Sequence, residues 1–447
     1  MRFAAAGILL VAAALRLPML DLRPMHADEA ILADKLGTLV ESGAYPYDPR
    51  EYHGPVIGYL AWIPAKAVGV SETTLRLVPA ICGVLLALAP LLFAPWIGRG
   101  AAVAAGAMVA ISPALVYYSR YYIPEMPLAL WTSLMLLCVL RGWWFAGGLA
   151  AALMIATKET AVLALAAAGV AHVAVYRPRR VSLLFPAGLL LGTSLLLAPP
   201  WQWGLLAQSA VAYFERAGGG VHAHPWYTYL RWIAITEAPL LVAGGFALRH
   251  TGKPAVRFLG LYAIGLVVLY SAIPYKTPWC AVSPLFALAL AGGAAVEGLH
   301  MRWRVAIAAC LSIAAALTAT RYSTDPRNPW VYAHTGAGVY TIRDRLAAFP
   351  RDTAIDVYAR ENWWPLPWYL RAYPNVRWWR EVAPAGSAAR IVLLSPAMEA
   401  DLVRKLYEGP PPGERELYMN LFEGQVELRP GVEVRGYVAK SLWDRAR

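Results

Sequence analysis

Charge is scarce in this chain. Of its 447 residues only 15% are Asp, Glu, Lys or Arg, against about a quarter in soluble domains. That shortage excludes an ordinary water-soluble enzyme. Cysteine is scarcer, with four residues in all. Cys82, Cys138, Cys280 and Cys310 fall in or beside apolar blocks. No pair has metal-site spacing, and no disulfide framework is implied. Repeats of fixed period and low-complexity tracts are absent. The first apolar block opens with Arg2 like a signal peptide. It also holds Arg16 and Pro18 and lacks a clean small-residue cleavage site, so it reads as a retained helix.

What is abundant is apolar sequence, 59% of the chain. It comes in blocks of roughly 15–22 residues, enough to cross a bilayer as a helix. The pattern predicts a polytopic α-helical membrane protein. Spans are expected near 4–20, 75–96, 101–118, 127–141, 143–157, 160–176, 182–198, 231–248, 256–273, 278–297 and 303–320, about eleven in all. With the N-terminus inside, Arg99, Arg141, Arg177, Arg179, Arg180, the stretch "RHTGKPAVR" and Arg302 and Arg304 all lie in inner loops. The net charge of +12 therefore sets topology and does not argue for nucleic acid.

Gly54 to Val70 is short and carries Pro64 and Lys66, so it is expected to lie in the interface. Ala27 to Ser42 has a one-sided apolar stripe at 31, 32, 36, 39 and 40, with Asp34, Lys35 and Glu41 expected to face water. Beyond Arg321 prolines, charges and tryptophans replace the apolar blocks. "AIDVYA", "ARIVLLSP" and "VEVRGYVAKSL" read as strands and "AMEADLVRKLY" as an amphipathic helix. The expected division is a transmembrane domain over 1–320 and an outer soluble α/β domain over 321–447.

On this topology five outer loops bring acids, bases and cations to one face. The first has His26, Asp28 and Glu29 in "MHADEA", then Arg50, Glu51, Tyr52 and His53. The others carry Arg120, Tyr121, Tyr122 and Glu125; Thr157, Lys158 and Glu159; Tyr213, Glu215, Arg216, His222, His224, Trp226 and Tyr227; and Tyr275 and Lys276. Carboxylates suit deprotonation of an acceptor hydroxyl. Lysine and arginine suit a phosphate leaving group, whose charge grows as its bond breaks. Each also has a plainer reading. Asp28 and Glu29 suit the first turn of a helix, Lys158 and Lys276 suit snorkelling anchors, and Tyr117, Tyr118, Tyr121 and Tyr122 suit an interface belt. His222 and His224 supply at most two ligands to a divalent metal and need a first-loop acid as well.

The order of motifs resembles the GT-C superfamily of polyprenyl-phosphate-sugar glycosyltransferases, which includes protein O-mannosyltransferases and the lipid A aminoarabinose transferase. The carrying stretches are "ADEA", "YHGPVIGYLAWIPAKAVGVSETTLRLVPAICG", "YSRYYIPEMPL", "ATKET", "FERAGGGVHAHPWYTYL" and "IPYKTPWCAVSPLFALAL". With "WPLPWYLR" they are most similar to the flippase-activity-associated GT-C-like family. His53-Gly54 stands where many relatives have Lys-Pro, and Glu159 where they have glycine.

The resemblance covers most of the chain and implies a GT-C fold. It also implies an inverting transfer from a polyprenyl-phosphate sugar to an extracytoplasmic glycan, lipid or protein, at the cell membrane. Asp28 is the expected base, with Glu29 orienting it or the sugar and Glu125 a second acid. Arg120, Lys158 and Lys276 are expected at the donor phosphate, with His53, Tyr52 and Tyr275 beside the donor. A non-catalytic glycolipid-binding partner of a flippase is the alternative.

Overall fold

A backbone in lipid must satisfy its own amides, and helices do so locally. The structure, a computed structural model, describes residues 1–48, 53–176, 182–197, 204–218, 220, 222–246, 252–360, 362–382 and 388–446, without the side chains of 205–207, 210 and 216. Helices occupy the described part of each expected apolar block. They are α1 (Arg2–Arg16), α2 (Ala27–Ser42), α3 (Val56–Val68), α4 (Glu72–Leu88), α5 (Ala94–Ile97), α6 (Arg99–Ile111), α7 (Pro113–Tyr118) and α8 (Glu125–Arg141). There follow α9 (Trp144–Ile155), α10 (Ala161–Tyr176), α11 (Leu184–Leu196), α12 (Gly204–Ala217), α13 (Thr228–Phe246), α14 (Pro254–Ala272), α15 (Val282–Glu297) and α16 (Met301–Ala319).

Among the described residues four helical segments are long and apolar enough to cross a membrane: Glu72–Ile97, Pro254–Ala272, Pro278–Glu297 and Met301–Ala319. Five shorter apolar helices, including α3 and α9 to α11, have 10–17 residues. The expected span over 101–118 is broken because Pro113 has no N–H to donate. Ser112 caps the new start by accepting from the Leu115 amide. In α13 the break comes at Glu237, whose φ of −137° and ψ of 29° leave the helix, two residues before Pro239. Its buried carboxylate accepts from Ser112 Oγ at 2.5 Å and the Ala114 amide at 2.7 Å. Helices α9 and α11 meet through glycine. A Cβ on Gly148 would lie 2.1 Å from the Phe185 carbonyl oxygen, so no other residue permits the approach.

The chain divides into two compact units, Met1–Asp21 with Lys35–Tyr332, and Leu22–Asp34 with Ala333–Arg447. This corrects the expected boundary at 320. Residues 321–332 pack with the helices: Tyr117 Oη donates to the Ser323 carbonyl, Tyr118 Oη to that of Trp330, and the Trp330 side chain is buried. The acidic segment, in turn, belongs to the second unit. The Met25 amide donates to Tyr369 Oη at 2.9 Å, and its carbonyl accepts from Thr335 Oγ1 at 2.6 Å. Lys35, expected to face water, is buried.

The second unit holds a six-stranded mixed sheet. Its strands are β1 (Ile355–Tyr358), β2 (Val376–Trp379), β3 (Ile391–Leu394), β4 (Tyr418–Asn420), β5 (Val426–Arg429) and β6 (Val432–Ala439). The order is β2-β1-β3-β6-β4, with β5 also on β6. Strands β1, β2 and β3 are parallel, and β6 runs antiparallel to β3, β4 and β5. Strand β1 is buried throughout and carries Asp356. That carboxylate accepts from Arg377, Trp379 Nε1, Tyr358 Oη and the Ala389 amide, so the charge is fully met.

Candidate functional site

Helix α2 starts directly after His26, and the two acids of "MHADEA" occupy its second and third positions. Their environments differ sharply. Glu29 is wholly buried and its Oε2 accepts from the His26 amide at 2.9 Å. His26 Nδ1 in return accepts from the Asp28 amide at 3.1 Å. This is a capping box with histidine in the place usually held by serine or threonine. Asp28 takes no part in it through its carboxylate. Its side chain is 36% exposed and Oδ2 lies 4.0 Å from His26 Nδ1. Glu29 therefore builds the helix start, and Asp28 is presented by it.

In the helical unit a second group forms around Lys158. The segment after His53 runs antiparallel to the turn after α9. His53 pairs with Lys158 in an isolated bridge, and the Gly54 and Val56 amides donate to the Thr157 and Ala156 carbonyls at 3.2 Å. A Cβ on Gly54 would sit 2.0 Å from the Ala156 oxygen, so glycine is required there. Lys158 Nζ donates to Glu125 Oε1 at 2.5 Å, with both side chains about 95% buried. Burial alone would lower the ammonium's pKa. The adjacent Glu125 carboxylate outweighs it, and the value lies well above that of free lysine. The other Glu125 oxygen, Oε2, is buried with no hydrogen-bond partner among the described residues.

A third group is the pairing of 222–224 with 274–276. Ala223 bridges Tyr275, the Lys276 amide donates to the His222 carbonyl at 2.9 Å, and the His224 amide to that of Pro274 at 3.0 Å. Cys280, just beyond, lies within electrostatic reach of Lys158 and Glu125. Thus His53, Glu125 and Lys158 come together from distant loops, Tyr275 and Lys276 pair with 222–224, and Tyr52 lies outside the described residues.

Several expected residues have other work. Arg120 donates to the Pro18 and Met19 carbonyls at 2.7 Å and to that of Arg16 at 3.3 Å. With Arg76, which donates to the Leu20 carbonyl, and Arg16, which donates to Val109 and Ala110, it fixes the end of α1. Lys276 is fully buried and donates to the Ser271 and Ile273 carbonyls at the end of α14. The four tyrosines expected as an interface belt are buried. His222 Nδ1 is 2.5 Å from Tyr332 Oη, and the His224 ring packs on Trp232. Among the described residues no three His, Cys, Asp or Glu side chains gather to hold a metal, so the expected metal pair finds no third ligand there. Sequence reasoning missed Thr335, Tyr369 and the cap formed by His26. Only Tyr369 carried a signal, as part of "WPLPWYLR".

A family model for dolichyl-phosphate-mannose-protein mannosyltransferase matches residues 52–203. No curated protein sequence matches the chain. The structure is similar to that of ArnT from Cupriavidus metallidurans bound to undecaprenyl phosphate, with a TM-score of 0.71, 16% identity and 97% of each chain covered. It is also similar to the Archaeoglobus fulgidus oligosaccharyltransferase, with a TM-score of 0.54 and 15% identity over 90% of this chain and 69% of that one. A third likeness is to the mycobacterial arabinofuranosyltransferase AftD, with a TM-score of 0.53 and 17% identity over 98% of this chain and 39% of that one. The chain thus shares the fold of these proteins, and over residues 52–203 it matches the mannosyltransferase family model.

Proposed function

We propose that the protein transfers a sugar from a polyprenyl-phosphate donor to a hydroxyl of an extracytoplasmic glycan, lipid or protein, in one inverting displacement. The acceptor oxygen attacks the anomeric carbon and its proton passes to Asp28. The bond from that carbon to the phosphate oxygen breaks, its electrons stay with oxygen, and polyprenyl phosphate leaves. The donor class is supported by the fold shared with a transferase bound to undecaprenyl phosphate.

The observation that carries the assignment is the division of labour in the capping box. Glu29 is spent on the His26 amide, and Asp28 keeps an accessible carboxylate at a fixed position. A base must lie within about 3 Å of the proton it takes, and a capped helix start gives that precision. Glu125 Oε2 is the open acceptor suited to a donor-sugar hydroxyl. Lys158 uses one of three ammonium donors on Glu125 and keeps the others for phosphate.

In this reading about eleven helical segments are embedded in the cell membrane, with Asp28 and the sheet domain outside. The test is sugar transfer from a labelled polyprenyl-phosphate donor in proteoliposomes. Asp28→Asn should lower turnover about 10²–10⁴-fold while donor binding is retained. Near-normal transfer would remove Asp28 as base, and it would favour a glycolipid-binding partner of an export system.

A further inference from the structure

A cavity lies at the other end of α8 from Glu125, about 24 Å along the helix at 1.5 Å per residue. It has a volume of about 680 Å³ and is lined by Trp96, Arg141, Trp144, His172, Tyr176 and Lys253 among others. Among the described residues no carboxylate lines it. Arg141, in the last turn of α8, lies 4.7 Å from the Trp143 ring centroid and 5.9 Å from that of Trp96. Lys253 caps the 19-residue helix α14, whose first amides carry the positive end of its dipole.

These cations have plain structural uses taken alone. His172 has none. It is 8% exposed, and both ring nitrogens are buried without a hydrogen-bond partner among the described residues. Aromatic rings flank it, Trp144 at 5.6 Å, Tyr176 at 5.2 Å and Phe258 at 6.2 Å. A neutral imidazole always has one N–H to donate, and leaving it buried and unmet costs stability. Its ring lines the cavity.

We propose that this cavity binds a phosphate group, at a site separate from that of the sugar donor. The anionic oxygens would accept from Arg141, Lys253 and the His172 N–H, and the rings of Trp96 and Trp144 would flank the ligand's apolar part. The cavity is far larger than a lone phosphate ion, which suits an acidic lipid headgroup held between helices. A soluble phosphate ester presents the same chemistry.

The full-length protein in nanodiscs separates the two sources. One arm compares phosphatidylglycerol with phosphatidylcholine discs, reading retained lipid by native mass spectrometry and the thermal midpoint. The other adds inorganic phosphate and glycerol phosphate to phosphatidylcholine discs. The wild type should retain one more phosphatidylglycerol than Lys253→Gln or His172→Phe. Its affinity should fall about tenfold or more in each variant, as expected for a lost charged hydrogen bond. A response in the soluble arm alone would keep the site and assign it to free phosphate esters. His172→Phe keeps the apolar packing, and its midpoint in phosphatidylcholine discs reports on folding. Equal retention by wild type and the folded variants, with no response to soluble phosphate, would overturn the proposal.

Discussion

The end of α1 and the turn at Lys158 both bury cations in an apolar helical unit, and they solve the problem in opposite ways. Arg16, Arg76 and Arg120 donate to carbonyls at the ends of helices, where oxygen atoms lack intrahelical partners. Their charge is absorbed by the backbone. Lys158 meets a single carboxylate, and that carboxylate keeps one oxygen open. Both places hold buried cations. What differs is the hydrogen-bonding capacity left over, and that remainder points to chemistry.

Asp28 has the largest such remainder, and Asp28→Asn is the largest effect expected, about 10²–10⁴-fold in turnover. Next comes the Lys158 turn. Glu125→Gln leaves a buried ammonium without a counter-charge and should cost about 3–5 kcal/mol of stability. Adding Lys158→Met should restore most of the thermal midpoint while leaving transfer impaired. A double variant no more stable than the single one would mean the two charges do not depend on each other.

At the α1 end, Arg120→Gln should cost about 1.5–3 kcal/mol, the scale of a charged hydrogen bond, with the donor KM unchanged once folding is corrected for. A raised donor KM at an unchanged midpoint would return Arg120 to the phosphate and erase the contrast. Glu29→Gln is milder, because an amide oxygen can still accept from His26. Loss of the charge–dipole interaction should cost about 0.3–1 kcal/mol, read as a midpoint shift.

The smallest effect is acid sensitivity in the sheet domain. Arg435, and after it Tyr437, donate to Glu399 and hold its pKa below the usual 4.5. That stabilisation is present above 4.5 and lost as pH falls through the folded value. Glu399→Gln should therefore flatten the loss of thermal midpoint between neutral and acid pH.

Strands β1, β3 and β6 were legible because buried strands read as apolar or alternating runs. Strands β2 and β4 are three or four residues long and half-exposed, with too little pattern to show. Helix positions were legible, but their breaks at Ser112 and Glu237 depend on each other across 125 residues. The roles of Asp28 and Glu29 were not separable, because both suit a first turn and histidine is outside the usual capping residues. Arg120 looked like a phosphate ligand because its carbonyl partners lie 101 and 102 positions away.

The Lys158–Glu125 pair also sets an order of events during synthesis. Lys158 follows Glu125 by 33 residues, which is about 2–7 s of translation at 5–20 residues per second. In that interval Glu125 has no Lys158 to meet. The ion pair can form only once the turn beyond α9 has been made, and it then ties that turn to the first residue of α8.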